Sequence, residues 1–147
     1  MHRLADVLEL KAVDIPEGAR AAYHAGANLA ASLLLITLRE AIQLWVAVGF
    51  SHESALAALL PLAQRALETA ERNGVDDSLS GPIRRGDVGM VARHLNAIAR
   101  AHPTAVGLYK GLGRRQWLAV SGSAAQPSPA EDMCRLLDVN DLTGLRL

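Results

Sequence analysis

The chain has 147 residues and a mass of 15.6 kDa, enough for one domain with at most a small appendage. Fifteen basic residues balance fifteen acidic ones, which removes the electrostatic argument for nucleic acid or an anionic membrane surface as a partner. Half of the residues are apolar, so a core can be buried, and the 26 Ala and 24 Leu against few aromatic or β-branched residues predict an all-α protein. The single cysteine, Cys134, excludes an internal disulfide framework and a cysteine zinc site, and a cytoplasmic location is the default expectation.

In chain order, residues 1–15 read as a prelude, and charges at Arg3, Asp6, Glu9 and Lys11 deny it the apolar centre of a signal peptide. Pro16 and Glu17 suit the first turn of a helix. The pattern predicts one long helix from Pro16 to about Val48, ended by Gly49. Its uncharged stretch, Ala25 to Leu38, is short against the roughly 20 residues of a membrane span. A soluble helix, buried on several sides by the fold or by a second subunit, is the expectation.

Ser51 reads as the next N-cap, with Glu53 in the first turn and Pro61 expected to kink or split the helix it starts. Asn73-Gly74 should end that helix, and residues 74–86 read as loop. Asp87 then caps a helix to about Ala101 with Val91, Leu95 and Ile98 facing the core. Pro103 opens another towards Val120, weakened by Gly107, Gly111 and Gly113. Residues 121–128 read as a flexible linker. Ser128-Pro129-Ala130-Glu131 makes a capping box for a short helix to about Leu137, followed by a loose tail. The organisation predicted is thus a helical domain over 16–120, a linker over 121–128, and a short C-terminal helix and tail over 129–147.

Three places carry polar groups beside apolar helix faces. His24, Asn28 and Ser32 are spaced i, i+4, i+8 and share one face of the long helix among Ala and Gly. The bland alternative is that His24 and Asn28 satisfy each other or a facing helix inside a core. Arg84 and Arg85 lie between Gly81 and Gly86 just before a helix start, where guanidinium groups can hold a carboxylate or phosphate. The bland alternative there is that Arg85 pins the loop to a carboxylate. His94 follows one turn into the next helix and is most simply a satisfied, half-buried histidine. Metal-dependent hydrolysis would need inward pairs of Glu or His, and the main helices offer only Glu40, Glu68 and Glu71. The glycines of 107–113 lack the spacing and preceding strand of a dinucleotide fingerprint, and neither a Walker motif nor a nucleophile elbow occurs. No catalytic residue, metal site or cofactor site is therefore assigned within the chain.

An ordered set of short motifs runs through these places: Tyr23-His24-Ala25, Pro61-Leu62, Gly81-Pro82-Ile83-Arg84-Arg85-Gly86-Asp87, His94-Leu95 and Leu108-Tyr109. Over about residues 5–120 the chain resembles the helical second domain, catalogued as of unknown function (number 2520), of a family of Rossmann-like proteins. The resemblance implies an all-α helical bundle around one long helix, similar to the C-terminal domains of 6-phosphogluconate dehydrogenase and pyrroline-5-carboxylate reductase. In such proteins an N-terminal Rossmann domain binds NAD(P), while the helical domain dimerises and closes over the substrate. Ser32 and Met90 stand where the family pattern has Asn and Thr, and these 147 residues hold no Rossmann segment of their own.

The expectation is a helical substrate-binding and dimerisation domain of an NAD(P)-dependent oxidoreductase, inactive alone. Its substrate-binding candidates are His24, Asn28, Ser32, Arg84, Arg85 and His94. Expected partners are a second copy, a Rossmann domain and a small anionic metabolite. The alternative is a non-enzymatic helical homodimer that binds such a metabolite or a partner protein.

Overall fold

The computed structural model describes residues 14–121 and 130–139. All regular structure among these residues is helical, with no strand. The segments are α1 (Arg20–Asn28), a π-helical turn (Leu29–Leu33), α2 (Leu34–Ala47), α3 (His52–Asn73), α4 (Val75–Ser78), α5 (Val88–Ala101), α6 (Ala105–Ser121) and α7 (Ala130–Leu136). The chain divides into two compact units between Thr37 and Leu38, inside α2.

In the first unit the long helix starts four residues later than its proline suggests. Pro16 to Ala19 instead close a turn, with the Ala19 amide donating to the Pro16 carbonyl at 3.0 Å. Gly18 sits at φ +78°, a left-handed conformation that no helix interior accommodates. The helical run from Arg20 to Ala47 then spans 28 residues. Its middle is wound as a π turn, a feature that recurs at functional places in other helices. Among the described residues the expected burial within the fold does not occur. Only 6% of its most apolar 18-residue window is buried, and Leu29 and Leu35 are each 63% exposed. By length and composition alone this run is long and apolar enough to cross a membrane, a property that core helices of soluble proteins share.

The run ends as its glycine predicts. The Gly49 amide bonds the Val46 carbonyl at 3.0 Å and the Phe50 amide bonds the Trp45 carbonyl at 3.1 Å. This is a Schellman motif with Gly49 at φ +105°, and the Trp45 and Phe50 rings pack 4.8 Å apart across it. Ser51 caps α3 as expected, its hydroxyl accepting from the Ser54 amide at 3.1 Å. Pro61 does not split α3: the helix runs unbroken to Asn73, and the proline leaves only the Ala57 carbonyl without its usual donor. Apart from Ala55, no residue of α3 is fully buried.

Residues 74–86 are not all loop. One helical turn forms over Val75–Ser78, and a second turn over 82–86 closes with another Schellman pair: Gly86 to Ile83 at 3.0 Å and Asp87 to Pro82 at 2.9 Å. Asp87 caps α5 through the Met90 amide at 2.9 Å. Val91, Leu95 and Ile98 are the buried face of α5, as their spacing predicts. α6 begins at Ala105, two residues beyond Pro103, and runs to Ser121 despite its three glycines. α5 packs on both α6 and α7. The core of the second unit unites Ile83, Val91, Leu95, Trp117, Met133 and Leu137. The linker (122–128) and the capping residues Ser128 and Pro129 lie outside the described residues, as do residues 1–13 and 140–147. The first two residues of the expected loose tail are fixed: Asp138 pairs with Lys110 at 2.9 Å and the Val139 amide donates to the Cys134 carbonyl at 2.8 Å.

Candidate functional site

In the first unit, His24, Asn28 and Ser32 are all exposed. The His24 ring meets Tyr23 edge-on at 5.5 Å. No hydrogen bond joins His24 to Asn28 among the described residues, so they do not satisfy each other. The neighbouring Gly26 has nothing within 4 Å of where a Cβ would stand, which leaves that face open to a close approach. Asn28 precedes the π turn and Ser32 lies within it, and Thr37 returns its hydroxyl to the Leu33 carbonyl at 3.0 Å just after it.

In the second unit, the two arginines of the Gly81–Asp87 loop have different surroundings. Arg84 donates through Nη1 to the Asp76 carbonyl at 2.8 Å and the Leu79 carbonyl at 3.1 Å. It ties the loop to the α4 turn. The pinning role that the sequence offers to Arg85 therefore belongs to Arg84, and its acceptors are backbone carbonyls rather than a carboxylate. Arg85 is exposed, and its guanidinium makes no hydrogen bond or ion pair among the described residues. Ile83, just before them, is buried, and Gln116 Nε2 donates to the Ser80 carbonyl at 2.8 Å. The loop thus has a fixed backbone and one free forked donor, the arrangement a carboxylate or phosphate needs.

His94 is half-buried on α5. Its Nδ1 lies 2.9 Å from the Tyr109 hydroxyl, and the rings meet edge-on at 6.0 Å. Burial pushes the Tyr109 phenol above its ordinary value of 10.0, so it remains a neutral partner. This pair gives His94 the satisfied setting of the bland reading.

A third histidine carries no signal in the sequence. His102, the C-cap of α5, places Nε2 2.6 Å from Oε2 of Glu40 on α2. Both side chains are about one-fifth exposed, at 22% and 19%. Thr104 stands 3.5 Å from His102 Nδ1, and Arg39 pairs with the other Glu40 oxygen at 2.8 Å. The His102 hydrogen bond holds the Glu40 carboxyl below its ordinary 4.5, against the opposing pull of partial burial, with the charges of His102 and Arg39 assisting. Glu40 and His102 lie on different helices, so no local spacing signals the pair.

The glycines of α6 do not shape a phosphate cradle. Gly107 and Gly111 face open space within a helix, and the room at Gly113 is filled by Leu137 and Ile83. An NAD(P) site on the dinucleotide pattern does not fit these residues. No group of three or more metal-ligating side chains occurs among the described residues.

These features define an all-α helical domain with a tethered arginine loop and a bare apolar helix. The family model described as Domain of unknown function (DUF2520) matches residues 1–116, and the chain belongs to that family. No curated protein and no solved structure matches the chain.

Proposed function

We propose that the chain is the helical substrate-binding and dimerisation half of an NAD(P)-dependent oxidoreductase and works with a Rossmann domain that holds the cofactor. The observation that carries this reading is the bare helix of the first unit, where Leu29, Leu33, Leu34, Leu35 and Ile36 are all exposed. Contiguous apolar surface of this kind marks an interaction face. A second copy offers the same apolar surface in return, as two-fold assemblies require. Arg85 supplies the free charged donor for an anionic substrate group. His24 and Asn28 offer hydrogen-bonding groups of their own on the exposed helix of the first unit. Cofactor chemistry belongs to the Rossmann partner.

The decisive experiment is light scattering on the purified chain at micromolar concentration. A particle of twice the 15.6 kDa chain mass is expected, and a monomer sinks the dimerisation role. Turnover of a carbonyl or imine only after a Rossmann partner is added would then support the oxidoreductase role. The second reading is a non-enzymatic homodimer binding a small anion or a partner protein. It prevails if the dimer binds phosphate through Arg85 yet gains no turnover with any Rossmann partner.

A further inference from the structure

The family match ends at residue 116, yet Trp117, Met133 and Leu137 are three of the four largest fully buried side chains among the described residues. The segment that supplies Met133 and Leu137 is tied down at its far end. Lys110 Nζ donates to both Asp138 carboxylate oxygens, at 3.0 and 2.9 Å. Asp138 adopts φ +56°, and the Val139 amide closes back on the Cys134 carbonyl at 2.8 Å.

The seat of this segment is Gly113. A Cβ there would stand 2.9 Å from Leu137 Cδ2 and 3.1 Å from Ile83 Cδ1. Leu137 and Ile83 therefore share one glycine-wide notch on α6. Ile83 is the buried residue of the Gly81–Asp87 loop, two positions before the free Arg85. We propose that Ala130–Val139 is a strap that holds this loop closed through Leu137 and Ile83, and so sets the position of Arg85 for a small oxyanion. Leu137 and Ile83 are positioning residues in this scheme. The ligand rests on the function proposed above; the mechanical link between strap and loop does not.

The loop carries its own reporters, because the Gly86 and Asp87 amides donate to Ile83 and Pro82. Hydrogen exchange on the full chain, with inorganic phosphate titrated in parallel, tests the proposal in Leu137→Ala and Lys110→Ala. The first variant empties the notch; the second unties the strap at an ion pair without touching the core. In both, exchange at Gly86 and Asp87 should accelerate by about an order of magnitude, more in Leu137→Ala, with the α3 amides unchanged. Phosphate affinity should fall in step while helical circular dichroism is retained. Faster exchange at Leu137 and Val139 with Gly86 and Asp87 unchanged overturns the proposal. So does an equal acceleration of α5, α6 and the loop in Lys110→Ala, which makes the segment ordinary core. If the loop opens as expected but the parent chain never binds phosphate, the strap stands and the anion reading of Arg85 falls.

Discussion

Glu40 and His102 are 62 positions apart, and their 2.6 Å contact fixes the end of α5 to α2. A carboxyl whose folded value is lowered contributes stability in full above its ordinary value, and loses it as the pH falls through the lowered one. For Glu40 that window opens below about 4.5. The parent chain should therefore exceed Glu40→Gln in urea resistance near neutral pH. The gap should close as the pH is taken well below the carboxylate range; a gap constant across that range means that Glu40 is not titrating against His102. The two loop arginines separate in the same kind of measurement. Arg84→Ala removes two hydrogen bonds to backbone carbonyls and should cost about 0.5–1.5 kcal/mol of stability. Arg85→Ala should stay within about 0.5 kcal/mol of the parent, since its side chain is exposed and unpaired among the described residues. It should abolish phosphate binding all the same. Equal destabilisation by both substitutions would place Arg85 in the scaffold. Adjacent identical residues are indistinguishable by composition, which is why the sequence pointed to Arg85 as the alternative clamp when the α4 turn presents its carbonyls to Arg84.

Elements with local causes were legible in the sequence. Ser51 and Asp87 cap their helices, Gly49 and Gly74 end theirs, and the spacing of Val91, Leu95 and Ile98 gives the buried face of α5. Elements that depend on distant packing were not. Arg84 braces the α4 turn from outside through the Asp76 carbonyl, and Leu137 is buried where Gly113 leaves it room. The glycines of α6 show the same division in energetic terms. By helix propensity each should gain up to about 1 kcal/mol on replacement by alanine. Gly107→Ala and Gly111→Ala meet nothing within 4 Å and should raise the melting temperature. Gly113→Ala drives a methyl against the fully buried Leu137, and overpacking of this kind costs about 1–3 kcal/mol, enough to reverse the propensity gain. Thermal unfolding of the three variants checks the sign at each position; a stabilised Gly113→Ala would mean that Leu137 yields without strain.

At the scale of the whole molecule the two units differ in how they treat apolar residues. The second unit buries Trp117, Met133, Leu137 and Val91 almost completely, whereas the first leaves Leu29, Leu33, Leu34, Leu35 and Ile36 open. The sequence led to this helix as one that needs cover, from its nearly all-round apolar middle, but periodicity cannot tell cover by the same chain from cover by another. Among the described residues that cover is missing, so the candidate residues His24, Asn28 and Ser32 share an exposed helix with Leu29, Leu33 and Leu35. If a second copy covers it, Leu29→Glu and Leu35→Glu should each leave helical content unchanged, because both side chains are 63% exposed in the single chain. A carboxylate forced into an apolar interface has no partner there. Loss of an interfacial anchor of about 2 kcal/mol corresponds to a weakening of roughly thirtyfold in the dimer dissociation constant. Sedimentation across a concentration series should show that shift in at least one of the two variants. Unchanged assembly in both would take the helix out of the interface. Flotation of the parent chain with neutral phosphatidylcholine vesicles, lost in the same variants, would assign its apolar face to lipid instead of a second subunit.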